Sequence, residues 1–166
     1  CQQAVSGLIA QRVAAGEPPS SADTGAYCKA RQRLPEAACW DLQRQTGRVV
    51  EEHAPPPTLC RGRRIRIVDG STLKIAETAA NCAEYPLQAT QRPGTSYPVV
   101  RIVVLFSLAV GTVLEGAISP YQGKGTGETG MLRSLAGSPA LSAGDVLLGD
   151  RYFAGYWDLA FWLMRG

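Results

Sequence analysis

Apolar positions recur along the chain with two different periods, and the change between them divides it. Between Gln2 and Ala15, Val5, Leu8, Ile9 and Val13 fall at helical spacing, and Gly16 with Pro18 and Pro19 supplies a C-cap residue and two breakers. This predicts a short amphipathic helix. A second helical segment runs from about Thr24 to Leu34 and carries Lys29, Arg31 and Arg33. Pro35 takes a first-turn position of a third helix that reaches about His53, with Ala38, Leu42, Val49 and Val50 facing inward. Ala54 to Thr58, with three successive prolines, reads as a linker. Residues 1–57 are therefore expected to form a small helical subdomain with its linker, and residues 58–166 a second unit.

Past the prolines the period becomes two. Arg63 to Ile75 alternates Arg64 and Arg66 with Ile65 and Ile67, which predicts a strand with its isoleucines buried and its arginines on the outer face. Ala76 to Tyr97 is polar, holds Pro86 and Pro93, and reads as a long loop. Strands over about Pro98–Val110 and Thr112–Tyr121 meet across Gly111 as an antiparallel hairpin. Glu128 to Ala136 reads as a helix. Asp145 to Asp150 is a short apolar run bounded by acids, as expected of a buried parallel strand. Tyr156, Leu159, Ala160 and Leu163 form the stripe of a last helix. The order is three antiparallel strands, then helix, parallel strand and helix, which is an α/β chain with a mixed sheet.

Composition narrows the chemistry. The 166 residues hold 17 Lys and Arg against 14 Asp and Glu, a formal charge of +3 that by itself names no partner. Five cysteines (Cys1, Cys28, Cys39, Cys60, Cys82) are odd in number and contain no CxxC pair, so free thiols in a reducing cytoplasm are expected rather than a disulfide framework or a zinc cage. The single histidine, His53, stands at a helix end, which excludes a His-rich metal site and leaves a Ser-His-Asp triad no firm base. No apolar run reaches the roughly 18 residues of a membrane span. The chain opens at Cys1 without a methionine and stops at Gly166 after an apolar helical pattern, so it is expected to be a piece of something longer.

Two acids stand out. Asp69 lies mid-strand among apolar and basic neighbours, and Asp150 ends the other strand that reads as buried. Ionised carboxylates in such places shift pKa or find a cation, and two side by side repel unless a metal neutralises them. If the crossover sets the fourth strand beside the first, the two acids converge as hard oxygen ligands suited to Mg²⁺. The same positions also suit a plainer reading, in which Asp69 caps a turn with Gly70 and Ser71 and Asp150 pairs with Arg151. Strand order together with both acids resembles the ribonuclease-H-like fold.

Rival motifs are weaker. Gly125 to Gly130 matches GxGxxG, opens a helix and has Asp150 about twenty residues on, but Pro120 to Lys124 separate it from the preceding strand, so dinucleotide binding is a minor alternative. The GKGT at Gly123 lacks the earlier glycine of a P-loop, since Ile118 stands there, and Asp69-Gly70-Ser71 is no nucleophile elbow. Tyr152, Phe153, Tyr156, Trp157, Phe161 and Trp162 follow helical spacing and read as core packing rather than base stacking, as does Trp40. Arg61, Arg63, Arg64 and Arg66 read as a solvated face. Lys29, Arg31 and Arg33, gathered in one short segment, are the better candidates for DNA phosphates.

Four segments carry a closer resemblance. Val68-Asp69-Gly70-Ser71-Thr72, Gly123 to Thr129 and Leu147 to Phe153 resemble those of DDE transposases of the insertion sequence 4 family, and Thr24 to Arg31 resembles the basic motif of their N-terminal region. The resemblance runs over nearly the whole chain. It implies DNA cleavage and strand transfer at insertion-sequence ends by two-metal-ion chemistry, with Mg²⁺, or Mn²⁺ in its place, as cofactor. It further implies that Asp69 is the first catalytic and metal-holding acid and Asp150 the second, within an incomplete ribonuclease-H-like core. The family's third acid is a glutamate on a helix after the next strand. No such segment occurs before Gly166, and Glu115 and Glu128, the core-region glutamates that might replace it, sit on a strand and at a helix start. The chain is therefore expected to be an inactive fragment of a catalytic domain. A non-catalytic DNA-binding remnant or accessory protein is the alternative. The partners implied are insertion-sequence ends and target DNA, and when full-length a homodimer or higher synaptic complex, in a prokaryotic cytoplasm at the nucleoid and with no membrane.

Overall fold

A computed structural model describes residues 1–55, 60–88 and 97–166. Their contacts group into two compact units, Cys1–Leu42 and Gln43–Gly166. The expected linker at 54–58 lies partly outside the described residues, as does Pro93 of the expected loop.

The first unit holds α1 (Gln2–Ala14), α2 (Gly25–Gln32) and the start of α3 (Glu36–Glu52). Its core is slight. Of the expected inward positions of α1 only Val5 is buried, while Leu8 and Val13 are exposed. Within it the Sγ atoms of Cys1 and Cys28 lie 3.2 Å apart.

The second unit is an α/β structure around a mixed, open four-stranded sheet of order β3-β2-β1-β4, built from β1 (Ile65–Lys74), β2 (Val99–Ser107), β3 (Val113–Pro120) and β4 (Val146–Leu148). β1 pairs antiparallel with β2, β2 antiparallel with β3, and β1 parallel with β4. Three antiparallel strands followed by a helical crossover to a parallel strand were legible in the periodicity. Two details differ. α4 (Ala79–Glu84) interrupts the expected loop, started by Thr78, whose side chain accepts a hydrogen bond from the amide of Asn81. And β4 stands at the sheet edge with Leu148 exposed, rather than buried on both faces.

One sheet face carries the core. Val68, Val103 and Leu105 meet Met131, Leu132 and Leu135 from α5 (Glu128–Ser134) and the 3-10 turn after it, together with Phe153. α6 (Tyr156–Leu163) joins through Trp162 and through an ion pair of Asp158 with Arg133 at 2.6 Å. Residues alternate between faces along a strand, so Arg66 shares the face of Val68 and is 1% exposed. This reverses the expectation that the arginines of β1 point outward. The reversal is offset by ion pairing: the Arg66 guanidinium grips both carboxylate oxygens of Glu51 on α3, and its Nε lies 3.4 Å from Asp145 just before β4. Arg64 takes the same Asp145 with Nε at 3.0 Å.

α3 also departs from expectation. Ala38, Leu42, Val49 and Val50 are exposed, and the second half of the helix meets the sheet through other residues. Gly47 sits against Val113 and Leu114 so closely that a Cβ there would strike the Val113 carbonyl. One turn earlier in the helix, Gln43 donates to the Val113 carbonyl at 2.7 Å, and Arg44 binds both oxygens of the buried Glu115 at 3.0 and 2.9 Å.

Burial pushes the Glu51 carboxyl up, but hydrogen bonding and charge from Arg66 outweigh it and hold the group below its ordinary 4.5. Glu115 is held below its ordinary value in the same way, by Arg44, the Gly116 amide and Ser138 against the effect of burial. A depressed folded-state pKa adds stability that is present above the unfolded value and is lost as pH falls through the folded one. Urea midpoints are therefore expected to hold level at neutral pH and to drop below about pH 4.5, with the drop reduced in Glu51→Gln. A midpoint insensitive to acid would contradict this. Arg66→Ala strands Glu51 and Asp145 without their cation and is expected to lower unfolding free energy by about 3 kcal/mol or more, read from the same urea curves.

Candidate functional site

The parallel ladder sets Ile65 against Val146, Arg66 against Leu147 and Ile67 against Leu148. The offset continues past the end of β4. Gly149 stands beside Val68, where a Cβ would come within 2.9 Å of Val68 Cγ1 and 3.2 Å of Phe153 Cδ2, so only a glycine lets the chain pass this close. Continued one row further, the same offset would set Asp150 level with Asp69. Partners in a parallel pair point to the same face. On that register both acids would fall on one face at the carboxyl ends of neighbouring parallel strands, the part of an open α/β sheet where ligands collect.

Both carboxylates are exposed. This corrects the expectation of a costly burial among apolar neighbours: Asp69 falls on the face opposite the core, and Asp150 lies beyond the last residue of an edge strand. Each makes one local bond. Asp69 Oδ1 accepts from the Gly70 amide at 2.9 Å, and Asp150 Oδ1 accepts from the Tyr152 amide at 2.8 Å, capping the 3-10 turn Arg151–Phe153. The plainer reading, local capping, is thus satisfied by one oxygen of each. The second oxygen of each is open.

A carboxylate from α5 approaches β1 on its core face. The Glu128 side chain lies over Gly70, with Cγ and Oε2 each 2.7 Å from where a Cβ of residue 70 would stand. Gly70 shares the core face of β1 with Val68, so Glu128, which opens α5, lies across the sheet from Asp69 and does not complete a site with it. Glu115, the other glutamate considered, is buried and committed to Arg44 and Ser138. Among the described residues no group of three or more His, Cys, Asp or Glu side chains is placed to hold a metal ion. Two exposed carboxylates with open oxygens suit a hard cation that keeps most of its water or takes phosphate oxygens for its remaining positions, the usual habit of Mg²⁺.

The glycines of the GxGxxG match serve the turn. Gly125 has φ +80°, and a Cβ on Gly130 would lie 2.7 Å from the Gly125 carbonyl. The preceding strand, β3, is paired only antiparallel, to β2. These are not the surroundings of a dinucleotide fingerprint, which needs its first glycine directly after a strand of a parallel βαβ unit.

Lys29, Arg31 and Arg33 are all exposed, at the end of α2 and its C-cap. Residues four apart on a helix share a face and residues two apart do not, so Lys29 and Arg33 make a pair and Arg31 points elsewhere. Arg61 and Arg63 are exposed on a tight turn, closed by reciprocal bonds between Cys60 and Arg63. Of the aromatics expected in the core, Phe153 is buried, whereas Tyr152, Tyr156 and Trp157 are exposed. His53 donates from Nδ1 to the Val49 carbonyl at 2.7 Å, a bond at the helix end.

A cleft of about 530 Å³ opens at the other end of the sheet, by α3 and the start of β1, and is lined by Arg44, Arg48, Arg64, Glu51 and Glu115 among others. Its cations are already matched: Arg44 to Glu115, Arg64 to Asp145, and Arg48 to Glu52 at 3.9 Å. The cleft is a structural ion-pair network rather than an anion site. No helix among the described residues is long and apolar enough to cross a membrane. Compared with protein-family models, curated proteins and solved structures, the chain matches none.

Proposed function

We propose that the second unit is the core of a DDE transposase with a ribonuclease-H-like fold, in which Asp69 and Asp150 hold divalent cations for phosphodiester cleavage and strand transfer on DNA. What supports this reading most is the parallel register of β1 and β4, which, continued two residues beyond the ladder, would set Asp150 level with Asp69. It is supported by the strand order and by the motifs around both acids that resemble the insertion sequence 4 family. Exposure matters here, because a DNA backbone must reach the carboxylates directly. When bound, Mg²⁺ supplies charge for the phosphate oxygens and lowers the pKa of its water.

The roles of the chain's own groups follow from their bonds. Asp69 and Asp150 each spend one oxygen on a backbone amide, which fixes the direction of the other. Lys29 and Arg33, on one face of α2, are assigned to phosphate contacts that position DNA without reading its sequence.

Calorimetric titration with Mn²⁺ is expected to show binding to the wild type and a loss of about tenfold or more in affinity in Asp69→Asn and in Asp150→Asn. Both variants should unfold within about 0.5 kcal/mol of wild type, since both side chains are exposed. Equal affinity in all three proteins would refute the metal assignment. In DNA binding, Lys29→Ala with Arg33→Ala is expected to reduce the slope of log affinity against log salt by about two, and Arg31→Ala to change it less. An unchanged slope in the double variant would remove α2 from the interface.

A further inference from the structure

We infer that Tyr152 is a nucleobase-stacking residue, which holds an unpaired DNA base beside the phosphate that lies at Asp69 and Asp150. The inference rests on the DNA reading above and assigns within it a contact that the acids do not supply.

Tyr152 is 59% exposed, yet it is not a loose side chain. Its amide donates to Asp150 Oδ1 at 2.8 Å, so the ring's own backbone is tied to the carboxylate. Phe153, the next residue, is 7% exposed, and its ring meets that of Tyr152 edge-on at 87° with centroids 6.2 Å apart. Phe153 in turn packs in the core with Val68, close against Gly149. The Tyr152 backbone is thus tied two residues from Asp150, and its exposed ring has one ring contact, edge-on with the buried Phe153.

An exposed ring held in this way presents a flat apolar face at little further entropic cost, since tyrosine has only two side-chain torsions. Arg151, exposed and adjacent, adds a cation. Carboxylate, guanidinium and aromatic face in three consecutive residues match, in order, a bound cation, a phosphate and a base. Stacking on aromatic faces is how proteins hold single-stranded nucleotides without regard to sequence. A stacked base in duplex DNA is out of reach of the ring, so the base held must be unpaired, as at a frayed or opened DNA end.

The test uses the full chain and a short mixed-sequence DNA single strand carrying one 2-aminopurine, in Ca²⁺, with binding followed by anisotropy and stacking by quenching of the 2-aminopurine. Wild type and Tyr152→Phe are expected to quench alike. Tyr152→Leu, which keeps apolar bulk without a ring, should bind about fivefold or more weakly and lose most of the quenching at saturation. Its thermal midpoint should match that of wild type, which separates loss of stacking from loss of fold. If wild type binds the strand and Tyr152→Leu quenches equally, or if Tyr152→Phe fails as Tyr152→Leu does, the stacking role is wrong while the DNA reading stands. Loss of self-association in Tyr152→Leu with unchanged quenching would reassign the ring to a contact between copies. Failure of wild type to bind any DNA would overturn both.

Discussion

The buried guanidinium of Arg66 fixes the part of the fold on which the candidate site depends. It joins Glu51 of α3 to Asp145 at the entrance of β4, and Arg64 holds the same Asp145 from the side. β4 is only three residues long and lies at the sheet edge, so its ladder alone holds register weakly. A slip of one residue would turn Asp150 to the opposite face from Asp69. The ion pairs act just before the first row of the ladder and set its offset. Buried ion pairs add little net stability over apolar packing, and fixing a register is their best-attested use.

Two close approaches then carry that register to the acids. At Gly149 the chain leaving β4 passes flush against Val68 and Phe153, so it keeps to the parallel course on which the proposal sets Asp150 level with Asp69. At Gly70 the strand leaves room for Glu128 from α5. Both glycines flank an acid on the page of the sequence, and in each case the missing side chain is occupied by a neighbour from another element. The acids themselves remain in water, held by one amide each.

Much of this was readable from the chain alone. The change of period near residue 63, the hairpin across Gly111 and the acid-bounded run at 145–150 gave the antiparallel strands, the crossover and the parallel strand. What the alternation in β1 could not give was which face is buried. Ile65 and Ile67 are the apolar residues, but Arg66 is the one enclosed, because its partners come from positions 51 and 145, far from it in the chain. α3 misled for a related reason: it packs through Gly47 and the polar Gln43 and Arg44, so its apolar residues carried no signal of its inner face. The aromatics after Asp150 were split by a turn that interrupts helical spacing, which sends Phe153 inward and leaves Tyr152 outside.

The shared row of the two acids can be measured without metal or DNA. In a chain whose native cysteines are replaced by serine, Asp69→Cys with Asp150→Cys can be treated with a methylene-bridged bis-methanethiosulfonate and the cross-link read by mass after digestion. Neighbouring parallel strands lie about 4.8 Å apart, so the pair is expected to cross-link fully and fast. Thr72→Cys with Asp150→Cys, three residues along β1 and so displaced by about 10 Å, should not. Cross-linking of the second pair in preference to the first would show that residues 69 and 150 do not meet, and the account of the site would fail with it.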